Sequence, residues 1–282
     1  MPAEPTGPVA RCAVIGSPIA HSLSPVLHAA AYRELGLNWA YESHEVSEPT
    51  LGAFLANLDP AWRGLSVTMP LKRAIIAACT DVEPRAGLLS SVNTVVITAG
   101  SRHGYNTDVT GFVRAFAEAG VNSLGSVVVV GGGATAASAL AAVAALGART
   151  ATVLARSPAR AAAVAALGPS LGLEVDVLDL GEPRAFRSAD AVISTVPVQA
   201  QGSLDLSSIA SLAPLLFEVG YDPRVTPMTE AARAAGSRVV EGFALLLYQA
   251  GRQVELMTGV AEAPLDAMRR AGVEALACRT GA

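Results

Sequence analysis

The chain has 282 residues, of which 51% are hydrophobic and 16% charged, with a net charge of −4 at pH 7. This composition indicates a globular protein with a sizeable core, and the lack of basic blocks argues against nucleic acid as a partner. The first eight residues form a loose tail without a secretory signal, no uninterrupted apolar run could span a membrane, and three scattered cysteines predict a cytoplasmic protein without a metal site.

Apolar strand-like runs alternate with helical patterns in the first hundred residues. The predicted strands cover residues 11–16, 40–46, 64–68 and 92–98. Ser24 and Pro25 fit an N-cap followed by proline at the first helical position, and Gly36 can end that helix. This alternation is typical of parallel sheets with crossover helices.

Lys72, in the stretch GLSVTMPLKRA, is the only lysine of the chain, and the other 19 of the 20 basic residues are arginine. Arginine does not give up its proton, whereas the pKa of a lysine responds to burial and to its neighbours. Lys72 is therefore a candidate for proton transfer. The alternative is that this lysine is retained by chance in an arginine-rich chain. The count of lysines alone does not distinguish a catalytic role from chance.

Polar residues follow several strands of this first part. They are hydroxyl and amide groups with one amine and one carboxylate, which suits a polyhydroxylated ring: Ser22, Ser24, Thr68, Lys72, Asn93 and Asp108. Thr68 comes just after a strand, and Lys72 is expected in the first turn of the next helix. Structural roles stay open, since Asn93 can brace a turn and Asp108 can cap a helix that runs to Gly120.

A second series of strands has a plain Val/Ala-rich pattern that is typical of a doubly wound sheet. Its predicted strands cover residues 126–131, 149–155, 173–178, 190–195, 215–220 and 238–242. We therefore predict an α/β protein of two domains: an N-terminal α/β substrate-binding domain of residues 1–108 plus 243–282, and a Rossmann-type doubly wound parallel-sheet domain of residues 109–242.

A glycine loop lies between a strand and a helix at the start of this second series. Gly131, Gly133 and Ala136 match the G-x-G-x-x-G/A pattern, in which backbone N–H groups and a helix N-terminus face a pyrophosphate. Gly132, Ala134 and Thr135 complete the predicted cofactor-binding loop. A tight turn with nothing bound is the alternative.

The end of the next strand predicts which dinucleotide binds. An NAD site usually has an acid there, but this chain has Arg156, Ser157 and Arg160, which suit a 2′-phosphate. The sequence therefore predicts NADP(H). A solvated arginine pair is the alternative, although cations at a helix N-terminus oppose the helix dipole.

These segments together resemble the shikimate dehydrogenase family over almost the full chain. The motifs that carry the resemblance are Gly16 to Pro25, Val67 to Lys72, Asn93-Thr94, Asn106 to Asp108, residues 221–227 and residues 241–259. The resemblance implies reversible reduction of 3-dehydroshikimate to shikimate with NADPH, in aromatic amino-acid biosynthesis.

The resemblance also implies roles for individual residues. Lys72 and Asp108 would form the catalytic pair, with Lys72 either the proton donor or an orienting charge. The substrate would contact Ser22, Ser24, Thr68, Lys72, Asn93, Asp108, Tyr221 and Gln249, with Gln253 nearby. The cofactor would also contact Thr195, Val196, Val219 and Gly242. The expected partners are small molecules, and the expected assembly is a monomer or a homodimer.

Several positions depart from the family pattern. Ser66 replaces a common Asn, Ala155 stands where Asn often precedes the arginine, and Met257 replaces a common Trp. Close relatives with altered substrates therefore stay open, such as a quinate or aminoshikimate dehydrogenase, including one that uses NAD. A methylene-folate dehydrogenase and a non-catalytic regulator that binds NADP and shikimate-like ligands stay open as well.

Overall fold

The computed structural model describes residues 9–180 and 188–280, with the side chains of Arg160 and Thr280 left out. The predicted loose tail, residues 1–8, lies outside the described residues. The described residues fall into two compact units, which divide the chain between Thr107 and Asp108 and between Tyr248 and Gln249. Unit 1 contains the two ends of the chain, and unit 2 contains its middle.

Twelve strands lie in the described ranges. They are β1 (Ala10–Gly16), β2 (Trp39–Glu45), β3 (Trp62–Val67), β4 (Asp81–Val82), β5 (Thr94–Thr98), β6 (Ser101–Tyr105), β7 (Ser126–Val130), β8 (Thr150–Ala155), β9 (Glu174–Asp179), β10 (Ala191–Ser194), β11 (Leu215–Glu218) and β12 (Arg238–Val240).

Helices connect most of these strands. They are α1 (Ser24–Glu34), α2 (Glu48–Ala56), α3 (Pro84–Leu88), α4 (Asp108–Glu118), α5 (Ala134–Ala145), α6 (Pro158–Ala165), α7 (Gly168–Leu171), α8 (Val198–Gln201), α9 (Leu206–Ala210), α10 (Pro227–Ala234), α11 (Gly242–Thr258), α12 (Leu265–Thr280) and a 3₁₀ helix (Ala74–Ala78).

Unit 1 is built on a mixed six-stranded sheet in the order β2-β1-β3-β5-β6-β4. β1 pairs in parallel with β2 and β3, but β5 runs antiparallel to both β3 and β6. The expectation of parallel sheets is therefore wrong for this unit. The difference comes from a hairpin between β5 and β6, whose two turn residues, Ala99 and Gly100, both have positive φ, as tight hairpin turns require.

Buried apolar residues pack together on the unit 1 sheet. Ile15, Leu65, Val67 and Val95 form a buried cluster with the turn that follows β3. The closing helix α12 packs against α1. Burial of β-branched and leucine side chains on a pleated surface is what makes these short runs strands.

Unit 2 is a doubly wound sheet of six parallel strands in the order β12-β11-β10-β7-β8-β9. Read from β9, this is the 3-2-1-4-5-6 order of a Rossmann fold, as the sequence predicts. The strand β7 is a run of valines buried on both faces, and the alanine-rich α5 packs closely on it. The helix α4 packs on β11 through its phenylalanine rings. The ring centroids of Phe112 and Phe116 lie 4.9 and 4.8 Å, respectively, from that of Phe217.

None of the helices in the described residues combines the length and the apolar character that a membrane crossing needs.

Candidate active site

Asn93 is the centre of a buried polar cluster in unit 1. Its Oδ1 accepts hydrogen bonds from the backbone N–H of Thr107 at 2.8 Å and from the Thr94 hydroxyl at 2.9 Å. Its Nδ2 donates to the Thr107 hydroxyl at 2.9 Å and to Gln249 Oε1 at 3.4 Å. These hydrogen bonds therefore define the orientation of the Asn93 amide. They also hold Thr107, the residue directly before Asp108 in the chain.

Lys72 and Thr68 lie in the turn that follows β3. The Thr68 carbonyl accepts a hydrogen bond from Leu71 N–H at 2.8 Å, and the Lys72 carbonyl accepts one from Val92 N–H at 2.9 Å. Lys72 is therefore held beside the segment that carries Asn93. It lies in a turn before the 3₁₀ helix, so the expected helical first turn is wrong, although Thr68 does come just after the strand.

The two serines of the loop after β1 differ from expectation in one respect. Ser24 is the first residue of α1, and Leu23 is its N-cap. The hydroxyl of Ser22 accepts a hydrogen bond from the backbone N–H of Ser24 at 3.2 Å. The expected N-cap role of Ser24 is therefore wrong, because Ser24 is already the first helical residue and its own N–H donates to the Ser22 hydroxyl.

Glu45 holds the same loop in place through hydrogen bonds. The sequence did not predict this role. The Glu45 carboxylate accepts hydrogen bonds from the Ser17 hydroxyl at 2.5 Å and from Ile19 N–H at 3.1 Å. The available signal was an acid at the end of β2, whose register partner is Gly16 at the end of β1.

The glycine loop of unit 2 joins β7 to α5. Gly131 has φ +114°, and a Cβ there would collide with the Thr195 hydroxyl. Gly133 is the N-cap of α5, and as a glycine it has no side chain to bond the first N–H groups of that helix. A bare loop, exposed N–H groups and a positive helix end form a cradle that suits a pyrophosphate, so the residues present fit a dinucleotide.

The other predicted cofactor residues of unit 2 meet at the carboxyl edge of its sheet. The N–H and hydroxyl of Thr195 both donate to the Val130 carbonyl at 2.9 Å. The half-buried Val196 follows directly. Val219 follows β11, and a Cβ on Gly242 would collide with its carbonyl. This sheet edge thus brings the ends of β7, β10 and β11 together with the start of α11.

The end of β8 has the residues that suit a phosphate rather than a ribose hydroxyl. Ala155 ends the strand, Arg156 is exposed, and Ser157 is the N-cap of α6 with no side-chain capping bond. The side chain of Arg160 lies outside the described residues. The fit to a 2′-phosphate therefore depends on Arg156 and Ser157.

Glu218 is a fully buried carboxyl group in unit 2 that the sequence analysis did not single out. It accepts hydrogen bonds from Gly220 N–H at 2.8 Å and from Gln201 Nε2 at 3.0 Å, with the Thr226 hydroxyl at 3.4 Å. Burial raises its pKa to about 7, although these hydrogen bonds act in the opposite direction. The signal in the sequence was an acid inside the apolar run LLFEVG.

The predicted catalytic pair is divided between the two units, since Lys72 belongs to unit 1 and the buried Asp108 opens α4 in unit 2. Tyr221 is half-buried in unit 2, between β11 and α10. The pairing of Lys72 with Asp108 and the roles of the other site residues stay predictions. No group of three or more metal-ligating side chains is found among the described residues.

The amino-acid sequence is similar to that of known proteins. Residues 14–95 match the family model described as the shikimate dehydrogenase substrate binding domain. A shikimate dehydrogenase (NADP(+)) from Moorella thermoacetica is 35% identical, with the alignment covering 95% of this chain and 94% of that protein.

Solved structures give the same picture. A shikimate dehydrogenase crystal structure from Mycobacterium tuberculosis has a TM-score of 0.85 at 37% identity, covering 94% of this chain and 99% of that one. A quinate dehydrogenase from Corynebacterium glutamicum in complex with NAD has a TM-score of 0.83 at 30% identity, covering 94% and 99%.

Proposed function

The chain belongs to the shikimate dehydrogenase family, and we propose from this that it catalyses the reversible, NADP-dependent reduction of 3-dehydroshikimate to shikimate in aromatic amino-acid biosynthesis. The observation that carries this proposal is the full-length match to NADP-dependent shikimate dehydrogenases. The polar cluster around Asn93 and the glycine loop at Gly131 support it from the structure.

The two predicted domains take different tasks in this proposal; units 1 and 2 instead divide the chain between Thr107 and Asp108 and between Tyr248 and Gln249. Residues 1–108 with 243–282 form the substrate-binding domain, and residues 109–242 form the NADP-binding domain. The match of residues 14–95 to a substrate-binding domain model supports the first assignment. The Rossmann strand order of unit 2 supports the second.

In this proposal the substrate binds to neutral hydrogen-bond donors and acceptors. Ser22, Ser24, Thr68, Asn93 and Gln249 hold the hydroxyl and carboxylate groups of the ring, and Tyr221 contributes from unit 2. The fixed amide of Asn93 supports its share of this role, because an ordered polar group loses little freedom on binding.

The cofactor is held by backbone and by guanidinium groups. Gly131 to Ala136 bind the pyrophosphate, and Arg156 and Ser157, with Arg160, bind the 2′-phosphate. Thr195, Val196, Val219 and Gly242 line the nicotinamide side. Bound NADPH supplies the hydride for the carbonyl carbon of the substrate.

Lys72 and Asp108 act at the carbonyl oxygen. Negative charge develops on this oxygen when the carbon is reduced, and the ammonium group of Lys72 stabilises that charge and supplies the proton. Asp108 supplies the carboxylate of this proposed catalytic pair. In the reverse direction the same amino group accepts the hydroxyl proton.

Quinate oxidation is the second candidate, because the quinate dehydrogenase of similar fold is 30% identical over nearly the full chain. The NAD in that structure weakens this alternative for the present chain. Arg156 and Ser157 stand at the end of β8, where an acid would favour NAD.

The proposed reaction is tested by mixing the purified protein with NADPH and 3-dehydroshikimate and identifying the product by chromatography. We expect shikimate in equal amount to the NADPH consumed. Unchanged substrate, or a different reduced product, would reject the proposed function.

We further propose a cytoplasmic location and a monomeric or homodimeric state. Light scattering of the protein as it elutes from a size-exclusion column measures its molar mass and so tests the oligomeric state. Cys12, Cys79 and Cys278 are free thiols, which fits a reducing compartment.

A further inference from the structure

A chain of hydrogen bonds crosses the interior of unit 1 and ends on Asn93. The Tyr41 hydroxyl donates to the Ser66 hydroxyl at 2.6 Å, and Ser66 donates to Gln253 Oε1 at 2.7 Å. Gln253 Nε2 donates to the Asn93 carbonyl and to the Thr94 hydroxyl, both at 3.1 Å. Thr94 then donates to Asn93 Oδ1 at 2.9 Å. We call these five residues the relay.

The relay has one direction because each hydroxyl has a single proton. Tyr41 uses its proton on Ser66, so Ser66 must use its own on Gln253. The Ser66 proton and the Asn93 carbonyl, which can only accept, together hold the Gln253 amide with its oxygen towards Ser66 and its nitrogen towards Asn93 and Thr94. The Thr94 hydroxyl joins the Thr107 backbone N–H as a second donor to Oδ1 of Asn93, so that Nδ2 is the donor that Asn93 offers.

Burial makes this choice of orientation costly to reverse. Ser66 is 4% exposed, Asn93 is 2% exposed and Gln253 is 1% exposed. Water cannot replace a lost partner cheaply at such positions, so a flipped amide would leave buried donors facing donors. The phenol end of the relay is also fixed, since the Tyr41 ring stacks on His28 with a centroid distance of 3.9 Å.

We propose that Ser66 is a positioning residue, which supports the amide orientation of Gln253 and through it the face that Asn93 presents to the substrate. Its role in catalysis rests on the proposed function, whereas its role in the relay does not. Tyr41 supports Ser66 from the opposite side. No contact of Ser66 with the substrate is required.

The test compares four variants of unit 1. Ser66→Ala removes the central hydroxyl, and Tyr41→Phe removes only the first proton of the relay. Ser91→Ala is the matched control, because the buried Ser91 hydroxyl has no hydrogen-bond partner among the described residues. Ser66→Thr keeps the hydroxyl and serves as the conservative rescue.

Two measurements separate the relay from the proposed function. The first is the exchange rate of the Thr107 amide by NMR without substrate, because that N–H donates to Asn93 Oδ1. The second is the pair of constants kcat and KM with shikimate and NADP+. The wild-type reaction alone decides the proposed function, and Thr107 exchange decides the relay even if shikimate is not a substrate.

We expect Ser66→Ala to accelerate Thr107 exchange and to raise KM for shikimate, each about three- to tenfold, the worth of one hydrogen bond. The kcat should stay within about twofold, and KM for NADP+ should not change. Tyr41→Phe should give a smaller effect of the same kind, and Ser91→Ala and Ser66→Thr should behave like the wild type.

Wild-type Thr107 exchange in folded Ser66→Ala would overturn the proposal. If that variant does not fold, wild-type exchange in Tyr41→Phe would overturn it equally. An equal acceleration in Ser91→Ala would also overturn it, because the effect would then come from any lost hydroxyl in this core.

Discussion

Lys72 is the residue on which the proposed chemistry most depends. Its backbone carbonyl accepts a hydrogen bond from the N–H of Val92, the residue before Asn93. The Lys72 backbone is therefore fixed beside the polar cluster around Asn93. An arginine at this place would keep the charge but would not release a proton at neutral pH.

Replacement of Lys72 by arginine should therefore separate charge from proton transfer. For Lys72→Arg we expect substrate binding to stay roughly intact and kcat to fall by about 10²–10⁴-fold, the usual contribution of a positioned proton donor. Steady-state rates with shikimate and NADP+ measure this. The neighbouring Arg73→Lys is the control and should keep wild-type turnover, and near-normal kcat in Lys72→Arg would remove the proton role.

Arg156 should decide the choice between the two dinucleotides. For Arg156→Ala we expect KM for NADPH to rise by about tenfold or more, with little change for NADH, because only NADPH has the 2′-phosphate. Arg149, exposed just before the opposite end of β8, gives the control variant Arg149→Ala. Equal effects of Arg156→Ala on both cofactors would mean that the phosphate is held elsewhere.

Some site residues can be found from the sequence and others cannot. Gly131 lies in a local pattern whose physical reason, a backbone without a side chain, is visible in the letters themselves. Ser66 is different, because its partner Gln253 is 187 positions away. Its contribution depends on pairing in the folded sheet, and a lone serine in a strand gives no hint of it.

At the scale of elements, the parallel sheet of unit 2 is the easier prediction. Its strands are buried on both faces and appear as continuous apolar runs, such as the valines of β7. The β5–β6 hairpin of unit 1 was missed because β6 is polar, with the sequence SRHGY. Its turn also uses Ala99 at positive φ, where Asn or Asp would have given a recognisable signal.

The β7–α5 loop allows a test of an element rather than a side chain. Gly131→Ala should lower the Tm of the cofactor-free protein, because a left-handed residue costs about 1–2 kcal/mol and the new Cβ would also displace the Thr195 hydroxyl. Gly133→Ala is the control, since its φ is −96° and a Cβ there meets nothing within 4 Å. Equal Tm values for the two variants would contradict this account of the loop.

For the whole molecule, two buried titratable groups give opposite pH dependence. Burial lowers the pKa of His28 to about 4, so its share of stability is present above pH 6.5 and is lost as the pH falls through 4. Glu218 has a pKa raised to about 7, so its share is present below pH 4.5 and is lost as the pH rises through 7.

Substitution of each group should therefore change stability in opposite directions along the pH scale. Relative to the wild type, Glu218→Gln should gain up to about 3 kcal/mol as the pH rises from 4.5 to 8. His28→Phe, which keeps an aromatic ring against Tyr41, should gain relative to the wild type as the pH falls from 7 to 4. Urea unfolding at several pH values measures both, and slopes of the same sign would show that the assigned titrations are wrong.

The proposed function of the whole molecule joins a polyol-binding unit to a phosphate-selective Rossmann unit, and the most direct test measures both selectivities at once. Initial rates with shikimate and with quinate, each against NADP+ and NAD+, give four values of kcat/KM for the intact protein. We predict that shikimate with NADP+ exceeds each of the other three combinations by at least about tenfold. A higher value for quinate, or for NAD+ with either substrate, would contradict the account.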